Sequence, residues 1–176
     1  MNTKVKVLFK VGISFCLLGE PVRYDGGDKG FSARKEFLDP YVVWTPVCPE
    51  VELGMGIPRE PLDLFGSDSD PKLISQTGRD WTEEIKIFSK NRIQQLRNLD
   101  LDGFLLKSSS PSCGFKSAPV WRDSKRDERE IGSGLFADAL SKKWPQLPIA
   151  DEQKVADRSQ AEAFLDQVRH YHQSKR

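Results

Sequence analysis

Four short runs of β-branched and aliphatic residues, set far apart along the chain, decide its fold class. They are "VKVLFKVGIS" at 5–14, "YVVWTPV" at 41–47, "DGFLLKS" at 102–108 and "LPIAD" at 147–151. Such near-continuous apolar runs suit strands buried on both faces. Segments with helical spacing follow several of them. One is predicted to start near Asp80, where "DWTE" offers a capping carboxylate, and to reach about Asn98 with Ile85, Phe88, Leu96 and Leu99 on one face. Ser133 is expected to cap a second helix through Lys143, with Leu135, Phe136, Ala139 and Leu140 inward. "SQAE" opens a last helix, about 158–172, that packs Phe164, Leu165 and Val168. Strands alternating with helices imply an α/β fold, a mostly parallel sheet with helices on both faces. At 176 residues and 38% hydrophobic content, residues 1–176 suit a single domain and are short for two.

The remaining segments read as connections. Residues 49–78 are rich in Pro, Gly, Asp and Ser and are expected to form a long functional loop with short helical turns. "APVW" is a short extended segment, and the charged run "RDSKRDERE" at 122–130 a solvated hairpin tip or surface loop. A formal net charge of +1 makes no case for nucleic acid or membrane binding. No stretch approaches the roughly 20 apolar residues of a membrane span. Lysines interrupt the amino-terminal apolar run where a signal peptide would be continuous, so the expected location is cytoplasmic.

Each of the three cysteines stands just beyond an apolar run: "VGISFCLLG", "WTPVCPE" and "LLKSSSPSCG". The carboxyl ends of parallel strands share one sheet edge, and the crevice there is the usual ligand site. Cys16, Cys48 and Cys113 are therefore expected to meet in three loops at that edge. An odd count without an export signal argues against a disulfide framework and leaves inert core thiols, a metal site or a reactive thiol. Pro49, Pro111, Gly19 and Gly114 favour rigid loops over strand interiors. A structural zinc wants four ligands, and His170 and His172 near the polar carboxyl terminus read as solvent-facing. A 4Fe-4S cluster held by three cysteines would leave one iron open, a Lewis acid with affinity for soft sulfur.

Other polar residues stand beside these loops. Glu50 lies two positions after Cys48, where Pro49, Val51 and Leu53 would desolvate it as a general base requires. Ser110 precedes Pro111 on a stiffened loop, although Ser108, Ser109 and Ser112 serve equally on sequence grounds. Asp25, in the turn "RYDGG", either contacts a ligand or anchors the turn, and the anchor is favoured. The amides of "GSG" ending at Gly134 can hold an anion or carbonyl oxygen, or serve only tight packing. Lys107, Lys116, Arg122, Lys125, Arg126 and Arg129 could rim a crevice for RNA, an idea weakened by the interleaved Asp123, Asp127, Glu128 and Glu130.

Taken together, "SFCLLGEPVRYDGG", "TPVCPE", "LKSSSPSCG" and the Gly-x-Gly before "LFADAL" resemble the thiouracil desulfidase family over residues of about 8–150. The charged stretch 122–130 departs from that family's pattern. The resemblance implies a non-redox iron-sulfur enzyme that replaces the sulfur of a thiolated pyrimidine with oxygen by hydrolysis and releases sulfide. It implies a 4Fe-4S cluster on Cys16, Cys48 and Cys113, Glu50 as acid/base and Ser110 on the substrate; Asp25, Ser112 and Gly134 stand beside these as further candidate substrate contacts on the residue reading above. The same chemistry on 4-thiouridine in nucleosides or transfer RNA is the alternative. From another class comes a non-catalytic iron-sulfur or zinc module that senses or binds a partner.

Overall fold

The structure, a computed structural model, describes residues 8–175. Strands β1 (Phe9–Ser14), β2 (Val42–Val47), β5 (Gly103–Leu106) and β8 (Ile149–Asp151) form a parallel sheet in the order β2-β1-β5-β8. These are the four apolar runs; residues 5–7 of the first lie outside the described residues. Side chains alternate across the sheet. Val11, Ile13 and Leu105 face a core with Phe164, Leu165 and Val168 of helix α4 (Arg158–Ser174). Phe104 and Leu106 face the opposite core, with Ile93 and Leu96 of α2 (Thr82–Asn98) and Phe136 and Leu140 of α3 (Leu135–Lys143). Helices thus cover both faces, and every strand carboxyl end falls on one edge.

A second sheet goes beyond what the sequence pattern predicts. Strands β3 (Leu62–Phe65), β4 (Lys72–Ser75), β6 (Ala118–Trp121) and β7 (Arg129–Gly132) run in the order β4-β3-β6-β7, with only β3 and β6 parallel. Two of its strands come from the expected loop 49–78, which also holds the short helix α1 (Pro49–Glu52). Four-residue strands among prolines and glycines carry too little pattern to be seen, and burial of Leu64, Leu73 and Val120 against Ile85 and Leu135 supplies what local propensity lacks. The charged run is a hairpin tip as expected up to Glu128; beyond it Arg129 and Glu130 belong to β7, an exposed edge strand whose charges discourage edge pairing.

Three helix details differ from expectation. Leu99 follows the last turn of α2 and is 43% exposed, because the chain has already turned away from the core. Ser133 does not cap α3: Gly134 occupies that position, and the Ser133 hydroxyl accepts the Lys116 amide at 2.9 Å. Asp157, not the serine of "SQAE", caps α4 by accepting the Gln160 amide at 2.9 Å. His172 is no solvent-facing tail either. Its ring Nδ1 lies 2.8 Å from Asp102 Oδ1, and its side chain is 19% exposed beneath Phe9. Asp102 precedes β5, so this histidine sits at the sheet edge opposite the cysteine loops. Among the described residues no helix is long and apolar enough to cross a membrane.

Candidate active site

In a doubly wound sheet the crevice opens where successive connections leave in opposite directions, here between β1 and β5. A cavity of about 340 Å³ lies there, within the size range of small-molecule sites. All three cysteines, Glu50 and Ser110 line it, together with Arg59, Lys107 and, from the second sheet, Leu62, Leu64 and Pro119.

Each thiol is set by its loop. Cys16 is the second residue of a single helical turn after β1 (Phe15–Leu18) that Gly19 ends at φ 90°, a conformation glycine adopts without strain. The Cys16 carbonyl accepts the amides of Gly19 at 3.3 Å and Lys29 at 2.8 Å. Cys48 follows β2, and its amide donates to Glu52 Oε1 at 3.0 Å; Glu52 Oε2 in turn pairs with Arg92 of α2 at 2.8 Å. Cys113 is buried, its amide donates to Ser110 Oγ at 3.0 Å, and the Ser14 hydroxyl bonds its sulfur. Gly134 buttresses this loop from below: a Cβ there would stand 2.5 Å from the Ser112 carbonyl carbon.

The thiols are free and electrostatically coupled. Burial pushes Cys16 up to about 12, helped by the negative charges of Cys48 and Glu50 against Arg23 and Lys107. Cys48 is raised by burial and by Glu50. Burial likewise raises Cys113 well above the ordinary thiol range; the Ser14 hydrogen bond opposes it, and the charges of Glu50, Cys48 and Cys16 add to it. One buried and two half-buried thiols whose ionisation is disfavoured by burial are the kind of donors that a bound metal centre holds as thiolates. Among the described residues no three His, Cys, Asp or Glu side chains close on a single-ion position. A lone tetrahedral zinc would need its sulfurs drawn to bonds of about 2.3 Å, whereas a cluster spreads its ligands over several irons. Three soft sulfur donors lining one cavity suit an iron-sulfur cluster by their chemistry.

Glu50 does not rest against the expected apolar wall. Its Oε2 pairs with Arg59 Nη2 at 2.5 Å and its Oε1 accepts the Ser112 hydroxyl at 2.7 Å, contacts that fix its orientation. Arg59, missed on sequence grounds, carried a signal: it is the only Lys or Arg between residues 36 and 71. Ser110 accepts the amides of Ser112 and Cys113 through its oxygen, so its own proton is free to point elsewhere. Ser112 is buried against Glu50 and lies outside the cavity lining. Asp25 also lies outside the lining; its carboxylate accepts the Gly27 amide at 2.9 Å, the favoured turn anchor. The Gly134 amide donates to the Gly114 carbonyl at 2.7 Å and is not free for a ligand.

Four of the basic residues near the third cysteine loop are tied internally. Lys107 donates to Glu152 at 2.5 Å and to the Ser108 carbonyl and hydroxyl, which bridges the ends of β5 and β8. Arg122 pairs with Glu128 at 2.6 Å, Arg126 pairs with Asp63, and Arg129 stacks on Trp121.

Comparison with known proteins shows a family and a fold. The protein is similar to the solved structure of a 4Fe-4S-dependent thiouracil desulfidase, TudS, with 26% identity and a TM-score of 0.67 over 88% of this chain and 98% of that one. It is also 26% identical over 134 residues to the uncharacterized protein YbbK of Bacillus subtilis (strain 168), spanning 73% of this chain and 87% of that protein. The model of the 2-thiouracil desulfurase family matches residues 11–152, from the first strand of the parallel sheet to just beyond its last. By that match the chain belongs to the 2-thiouracil desulfurase family.

Proposed function

We propose that the protein is an iron-sulfur-dependent desulfidase, a single cytoplasmic domain that exchanges the thiocarbonyl sulfur of a thiouracil for oxygen from water. The observation that carries the reading is the meeting of Cys16, Cys48 and Cys113, from three strand ends, in one cavity with Glu50 and Ser110. Family membership and the likeness to a solved thiouracil desulfidase support it. The three cysteines would hold the 4Fe-4S cluster, which when bound supplies a Lewis-acidic iron for soft sulfur.

The chain's own residues handle positions and protons. Glu50, oriented by Arg59 and Ser112, retains lone pairs on both carboxylate oxygens and takes a proton from the water that adds to the ring carbon. Ser110 donates its free proton to a polar atom of the pyrimidine. The carbon–oxygen bond forms and the carbon–sulfur bond breaks; the two protons of water leave with the sulfur as hydrogen sulfide, and no electron changes hands. Leu62, Leu64, Pro49 and Pro119 give the ring an apolar wall.

The test is anaerobic reconstitution with iron and sulfide, followed by an assay for uracil from 2-thiouracil. The loaded wild type is expected to release uracil and sulfide in equal amounts, and Glu50→Gln to keep its cluster while turnover falls by about 10²–10⁴. A fully loaded wild type that forms no oxo-pyrimidine from 2-thiouracil, 4-thiouridine or thiolated transfer RNA would instead indicate a sensor module. Running the transfer RNA arm at two salt concentrations identifies an RNA substrate by a steep loss of activity.

A further inference from the structure

Arg59 stands apart from the other arginines near the site. Its guanidinium side chain is 5% exposed and its donors run to separate loops. Nη2 binds Glu50 at 2.5 Å, whereas Nη1 binds the Val22 carbonyl at 3.0 Å and the Gly56 carbonyl at 3.1 Å. Its own backbone amide donates to the Tyr24 carbonyl at 2.9 Å. One residue thus joins the loop after β1 to the loop after β2 and ends on the carboxylate facing the cavity. The Val22 carbonyl also lies 4.0 Å from the Cys48 sulfur.

Two features separate this from an ordinary surface ion pair. Nε is buried without a hydrogen-bond partner, an unsatisfied donor that a tie selected for stability alone would avoid. The guanidinium is planar, so fixing Nη1 on two carbonyls fixes where Nη2 presents itself to Glu50. Glu50 has one further anchor, the Ser112 hydroxyl, on its other oxygen. The plane of the carboxylate is therefore set by a residue nine positions away.

Building on the desulfidase reading, we infer that Arg59 is a positioning residue for the reaction: it holds the Glu50 carboxylate in the orientation from which Glu50 takes the proton of the attacking water. It touches neither the cysteine sulfurs nor the substrate in this role, and it acts through Glu50.

The experiment compares wild type, Arg59→Ala, Arg59→Lys, Glu50→Gln and the double variant Arg59→Ala/Glu50→Gln. Each is reconstituted anaerobically, with iron and sulfide content, kcat and KM for 2-thiouracil measured, with and without added guanidinium at millimolar concentration. Arg59→Ala is expected to load its cluster fully and to lose about a hundredfold in kcat, at the low end of a general base's contribution, with KM changed less than about threefold. Guanidinium should restore turnover saturably to Arg59→Ala and leave the wild type unchanged. The double variant should be no slower than Glu50→Gln, since residues acting as one unit do not add. Arg59→Lys keeps charge and stem but lacks the fork; it should also load iron and remain slow, and it carries the test if the alanine protein does not fold. Near-wild-type kcat in either variant, loss of iron together with activity, absence of guanidinium rescue, or additive losses in the double variant would each overturn the inference. A loaded wild type that releases no uracil refutes the desulfidase reading itself, a result distinct from all of these.

Discussion

Ser112 Oγ lies 2.7 Å from Glu50 Oε1 although the two residues are 62 positions apart. The contact joins the loop after β5 to the short helix after β2. It also makes a candidate catalytic group depend on a serine that itself does not line the cavity. A hydrogen bond to a charged acceptor contributes about 1.5–3 kcal/mol. Ser112→Ala is therefore expected to lower kcat roughly ten- to a hundredfold with iron content unchanged, as steady-state kinetics on the loaded enzyme will report.

The three cysteines should be equivalent in holding iron and unequal in holding the fold. Cys16→Ser, Cys48→Ser and Cys113→Ser are each expected to lose most bound iron and sulfide. Cys113 alone belongs to the buried cluster with Phe104 and Phe136. Even with the Ser14 hydroxyl beside it, a smaller and more polar hydroxyl in place of the sulfur in that core costs about 1–3 kcal/mol. Urea melts of the cluster-free proteins should show that loss for Cys113→Ser and little change for the half-buried Cys16 and Cys48.

Gly12 marks the closest approach within the parallel sheet. A Cβ there would stand 2.2 Å from the ring of Phe104, which is fully buried and packs edge-on against Phe136 with centroids 5.9 Å apart. The ring has nowhere to retreat. Gly12→Ala should overpack the core and destabilise by about 1–3 kcal/mol, seen as a lower midpoint in urea, whereas Gly12 in an ordinary strand would gain from the same change.

Asp102, at the amino-terminal edge of the sheet, sets an acid limit on stability. Burial pushes its carboxyl up, but hydrogen bonds from Lys175, the Lys10 amide and His172 outweigh that and hold it below the ordinary value of 3.8. The unfolded chain then takes up the proton more readily than the folded one. Stability from this group is fully present above pH 3.8 and is lost as pH falls through the lower folded value. Asp102→Asn should weaken the fold at neutral pH and flatten its acid dependence, measured by denaturant melts of cluster-free protein from about pH 5 downward.

What could be read in the sequence is what local pattern and topology determine together. Apolar runs such as "GFLL" suit strands buried on both faces, "VVWTPV" forms the half-exposed edge strand beside them, and parallel strands deliver their carboxyl ends to a common edge. That was enough to bring Cys16, Cys48 and Cys113 to one place and to put Glu50 beside them. The sequence did not reveal β3 and β4, whose four-residue strands become strands only through pairing and burial.

Partners far apart in sequence were likewise decided by the tertiary structure alone. Glu50 looked like a carboxylate behind an apolar wall, yet Arg59, nine positions on in the same connection, and Ser112, from the third cysteine loop, reach it. Ser112, Asp25 and Gly134 stood as candidate ligand contacts, with the turn anchor favoured for Asp25, and in the structure each makes hydrogen bonds or close packing within the loops. Periodicity, turn residues and the order of motifs are carried by neighbours along the chain, so the sequence by itself determined the layered fold and the cysteine edge. Side-chain pairing depends on distances that only the closed fold defines, so the structure decided what each polar group faces.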